Sequence, residues 1–158
     1  MIKLLDKLYG TKVPNTPYKD FDFDNINLLD PNGNQVSIND FIGYKMLNII
    51  PTIDDKNYTT QTKYLTYEIE QDELLSPKPS LLTISLDVPS ILNSDDYKNI
   101  ILLSDINSNL NHRLEEMLQH EITMNYIIIL SEDNKLLYFN DKNDYIEAVK
   151  VLKKICSQ

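Results

Sequence analysis

Apolar residues in this chain fall into short dense runs separated by stretches at helical spacing, the pattern of strands and helices taken in turn. Met46, Leu47, Ile49 and Ile50 form a nearly continuous apolar run, as expected of a strand buried on both faces in a parallel sheet, and Pro51 ends it. Beyond the proline, Asp54 and Asp55 are placed to cap a helix, where a carboxylate accepts from unpaired backbone N–H groups at the positive end of the macrodipole. Tyr58, Thr62, Leu65 and Ile69 recur at helical spacing, so this helix is predicted to lay one face on the sheet. Pro77 and Pro79 mark a surface loop, and Leu81, Leu82, Ile84 and Leu86 form a second buried strand. Strand, helix and strand of this length make a right-handed parallel crossover. Ile100 to Leu103 predicts a third strand, and Asn109 to His120 a helix with Leu110, Leu114, Met117 and Leu118 turned inward.

The two ends of the chain read differently. Residues 1–19, with Pro14 and Pro17, predict a short strand or helical turn and then an extended arm. Phe21, Phe23, Ile26, Leu28 and Leu29 lead into Asp30-Pro31-Asn32-Gly33, a strong turn signal, and Val36 and Ile38 continue beyond it, which predicts a hairpin. Downstream, Tyr126 to Leu130 and Lys135 to Phe139 flank Ser131-Glu132-Asp133-Asn134 as a second antiparallel hairpin. A last amphipathic helix follows, with Tyr145, Val149, Leu152 and Ile155 on one side. With no repeat, linker or low-complexity tract, residues 1–158 are expected to form one domain.

At 158 residues the chain is long enough to bury roughly two thirds of its unfolded surface without a disulfide or metal staple. Its net charge of −9 argues against nonspecific binding to nucleic acid or anionic membrane, both of which demand cationic surface. No apolar run approaches the ~20 residues of a membrane span, and MIKLLDKLYG lacks the apolar core and cleavage site of a signal peptide, so the cytoplasm is the expected compartment. The single cysteine, Cys156, excludes an intrachain disulfide. Alanine and arginine occur once each, as Ala148 and Arg113, while Asn, Ile, Lys and Tyr abound, the bias of AT-rich codons and an expected bacterial source.

The segments LNIIPTID, TTQTKY, LLTISLDVP and LLSD, in that order, resemble the bacterial thiol peroxidases, the atypical two-cysteine peroxiredoxins, and the resemblance runs from the 30s to the C-terminal helix. It implies a peroxiredoxin-like thioredoxin fold: an α/β domain whose central mixed sheet is flanked by helices, with an N-terminal β-hairpin. Asn39-Asp40-Phe41-Ile42-Gly43 resembles the one-turn helix before the family's central strand. It also implies an active site reading Pro-x-x-x-Thr/Ser-x-x-Cys, and here the chain departs from its relatives. Pro51 is present, but Asp55 stands at the threonine position and Tyr58 at that of the peroxidatic cysteine. The catalytic arginine aligns with Asn125. Val88-Pro89 is followed by SILNSDDYKN, which lacks the resolving cysteine and is about four residues short.

Those substitutions bear on one mechanism. The thiolate is the nucleophile, and a helix N-terminus, an arginine and a threonine hydroxyl depress its pKa and orient the peroxide. A phenol has no route through sulfenic acid and ionises only near pH ~10 in solution. Asp55 brings negative charge where the family stabilises it, and Arg113, in the preceding helix, is not expected to reach the site. Tyr58 is expected to pack into the vacated pocket, with a ligand-binding or interface role as the alternative. Cys156 is expected to be a partly buried, inert thiol, the alternative being an intermolecular disulfide or sensor. His112, Glu116 and His120 are spaced by four and share a helix face, and Asp54, Asp55 and Asp87 could attract a cation; a solvated face and helix capping explain them without one. No cofactor or metal is expected. The sequence therefore predicts a peroxiredoxin-like homodimer without peroxidase activity, retained to bind a protein or small molecule at the former active site. The alternative is an enzyme still, acting through Cys156 or through the altered pocket.

Overall fold

A computed structural model describes residues 26–119, 121, 125–141 and 144–157. The expectations for residues 1–19, for Phe21 and Phe23 and for His120 lie outside them. The first hairpin pairs β1 (Leu28–Leu29) with β2 (Gln35–Val36). Its turn closes where Gly33 donates to Asp30 O at 2.9 Å, with Gly33 at φ +86°, a conformation that suits a residue without Cβ. A one-turn 3-10 helix, Ile38–Asp40, follows, closed by a reciprocal cap between Ser37 and Asp40.

Central strand β3 (Lys45–Ile49) is buried at every position. It runs parallel to β4 (Ser80–Ser85) and antiparallel to β6 (Tyr126–Leu130), so the expected parallel neighbour lies on one side only. Helix α1 (Lys56–Gln71) connects β3 to β4. A four-residue helix, α2 (Pro89–Leu92), and a 3-10 turn at Asp95–Tyr97 lead to β5 (Ile101–Ser104), parallel to β4. Helix α3 (Asn109–Leu118), the hairpin of β6 with β7 (Leu136–Asn140) and helix α4 (Tyr145–Cys156) complete the chain. The seven strands form one mixed sheet in the order β2-β1-β5-β4-β3-β6-β7.

Alternation along the strands sorts the apolar side chains onto two faces. On one, Leu47, Ile49, Leu82 and Ile84 pack with Leu110 and Leu114 of α3. On the other, Met46, Ile127 and Ile129 meet Leu65 and Ile69 of α1 and Ala148, Val149 and Leu152 of α4. Lys153 of α4 lies 3.6 Å from both Glu68 and Asp72 near the end of α1, so the two helices run side by side in the same direction. The result is a three-layer α/β/α domain with the start of α1 at the C-terminal edge of β3, the edge where open parallel sheets place their sites.

Candidate functional site

The loop from β3 to α1 is held by one carboxylate. Asp87, just past the end of β4, accepts from Thr52 Oγ1 at 2.7 Å, from Ile53 N at 2.8 Å and from Ser85 Oγ at 2.8 Å. Its own carbonyl accepts from Ser104 Oγ at 2.5 Å, which ties the same point to β5. Asp87 is therefore a structural anchor, and its oxygens are already engaged by donors where the sequence suggested a cation. Among the described residues, no three His, Cys, Asp or Glu converge as a metal set.

Past the loop, Asp55 is the N-cap of α1 and accepts from Asn57 N at 2.8 Å. Asp54, named with it as a capping residue, is exposed, and its backbone N–H donates to Thr52 Oγ1 at 3.1 Å. The difference is geometric: Asp55 holds the extended φ/ψ of a cap, and only its side chain meets the second helical N–H. Tyr58 departs from the helical stripe assigned to it. Leu65 and Ile69 face the sheet, but the first turn of α1 overhangs the sheet's edge, and Tyr58 packs on a separate small cluster of Ile50, Ile53, Leu92 and Leu102.

Beneath that turn lies a polar chain that the sequence reading missed. Asn48, fully buried in β3, donates from Nδ2 to Thr62 Oγ1 at 3.1 Å and to Thr83 Oγ1 at 3.2 Å. Gln61 donates from Nε2 to Asn48 Oδ1 at 2.8 Å and reaches Asn125 Oδ1 at 3.5 Å. Asn125 is thereby linked to α1 through a neutral amide network. The available signal was a polar residue inside each of two apolar runs, Asn48 and Thr83, which the parallel register sets opposite one another.

Asp55, Asn57, Tyr58, Thr60, Gln61 and Tyr145 line a groove of about 300 Å³. Tyr145 is in turn held edge-on by Tyr64, ring centroids 5.3 Å apart. Asp105 is buried, caps α3 through Leu110 N and Asn111 N at 3.2 Å each, and burial raises its carboxyl above the usual range. Arg113 belongs to α3, across the sheet from α1. His112 and Glu116 are exposed on that helix.

Cys156 ends α4, eleven residues beyond Tyr145 and about 16 Å along the helix from the groove. It is half-buried against the apolar face, and burial pushes its thiol up to about 11. Such a thiol is poorly disposed to nucleophilic attack at neutral pH.

No protein-family model and no curated protein sequence matches the chain. Solved structures do. A thiol peroxidase from Chromobacterium violaceum superposes with a TM-score of 0.66 at 18% identity over 90% of each chain. A peroxiredoxin Q of Xylella fastidiosa gives 0.66 at 15% identity over 89% of this chain and 99% of its own. Peroxidoxin BcpB from Mycobacterium tuberculosis gives 0.64 at 16% identity over 82% and 92%. These likenesses establish a peroxiredoxin-type thioredoxin fold.

Proposed function

We propose that this chain is a divergent relative of the bacterial thiol peroxidases that has lost peroxide reduction and keeps the vacated site as a binding groove. The observation that carries this is Tyr58: at the turn of α1 where the resemblance requires a thiolate, a phenol ring packs on Ile50, Ile53, Leu92 and Leu102. The surroundings support it. Asp55 occupies the helix N-terminus with its own charge, so the dipole that would stabilise a thiolate is already spent on a carboxylate. Asn125, aligned with the catalytic arginine, brings an amide in place of a guanidinium. Rescue through Cys156 runs against its position at the far end of α4 and its raised pKa.

The same reading makes the protein a cytoplasmic homodimer that pairs through the surface flanking the groove. Val88, which precedes α2, and Ile91 within it, 40% and 48% exposed, supply apolar area for that contact. Among the described residues, no helix is long and apolar enough to cross a membrane. Assaying hydrogen peroxide and cumene hydroperoxide with dithiothreitol or thioredoxin as reductant tests the loss of activity, and turnover above a heat-denatured control overturns it. Light scattering at micromolar concentration tests the dimer, and a monomer mass overturns that part.

A further inference from the structure

We draw no further inference here: the strongest candidate, the polar pocket of about 190 Å³ between β1 and the start of α3, lined by Asn27, Ser104, Asp105 and Asn109, carries nothing, because Asp105 is already engaged by Leu110 N and Asn111 N and Ser104 by the Asp87 carbonyl, which leaves a capped helix N-terminus and nothing among the described residues that points to a ligand.

Discussion

Replacing Asp87 tests how the site is held in place. Its carboxylate accepts from Thr52 Oγ1, Ser85 Oγ and Ile53 N, all within 2.8 Å. Each hydrogen bond to a charged acceptor contributes about 1.5–3 kcal/mol, but the three do not simply add. In Asp87→Ala, the half-buried Thr52 hydroxyl recovers some bonding from water. Ile53 is 1% exposed, so its N–H loses its acceptor where water does not easily follow, at a cost of about 1–3 kcal/mol alone. We expect Asp87→Ala to lose about 3 kcal/mol in total. At roughly 2–4 °C per kcal/mol for a domain of this size, Tm falls by about 6–12 °C. Asp87→Asn with its oxygen at the Oδ2 position still accepts from Ile53 N and Ser85 Oγ and turns an NH2 toward Thr52 Oγ1 alone. The Thr52 hydroxyl can reverse and the backbone N–H of Ile53 cannot, so a loss of about 1–2 kcal/mol follows if the retained oxygen serves Ile53. Urea unfolding of the three proteins gives the ranking, and amide exchange at Ile53 locates the effect. A loss under about 0.5 kcal/mol for Asp87→Ala, or an Asn variant worse than Ala, refutes the anchoring role.

Other expectations concern the thiol chemistry and the far end of α1. Tyr58→Cys alone should form no sulfenic acid with stoichiometric peroxide, because Asp55 opposes a thiolate and no guanidinium orients the oxidant; dimedone trapping at the rate of an active thiol peroxidase sinks this. The combination Tyr58→Cys, Asp55→Thr and Asn125→Arg is the smallest change expected to yield a trappable product. Cys156 should react with a thiolate-selective reagent at a rate that climbs tenfold per pH unit to about 11, rather than levelling near the usual 9.0. Because the folded chain holds that proton more tightly than the unfolded one, its contribution to stability is intact below pH 9.0 and is lost as pH rises through about 11. A rate plateau near the lower value contradicts the burial. Lys78 Nζ donates to Ile69 O, Glu70 O and Asp72 O at 3.0 Å each, closing the C-terminal end of α1. Lys78→Met should therefore cost about 1 kcal/mol, read as a lower urea midpoint, and an unchanged midpoint counts against the cap.

What the sequence made legible follows the range of the interactions involved. The turn at Asp30-Pro31-Asn32-Gly33 depends on local backbone chemistry and was found where expected. That its hairpin extends the main sheet was not readable, because Leu29 meets Ser104 across 75 residues of chain. Buried strands announced themselves as apolar runs, but parallel and antiparallel partners of β3 leave the same run, so the mixed sheet came from the family resemblance. Two adjacent acids, Asp54 and Asp55, are alike in sequence, and only Asp55 stands at the residue before the helix, where its carboxylate reaches Asn57 N. Helical periodicity placed Tyr58 with Leu65 and Ile69, and it fails there because α1 begins beyond the sheet that the stripe is meant to cover. Asn48 and Gln61 escaped notice because residues far apart in sequence satisfy their polarity, so no motif records the network.

The central claim is that Tyr58 ends the peroxide chemistry of this fold. The most direct measurement is peroxide consumption by the purified full chain with excess dithiothreitol, run beside Cys156→Ser and a heat-denatured control. The account predicts that all three consume hydrogen peroxide at the same background rate. Saturable turnover by the wild-type chain contradicts it, and its loss in Cys156→Ser would identify the thiol at the end of α4 as the nucleophile.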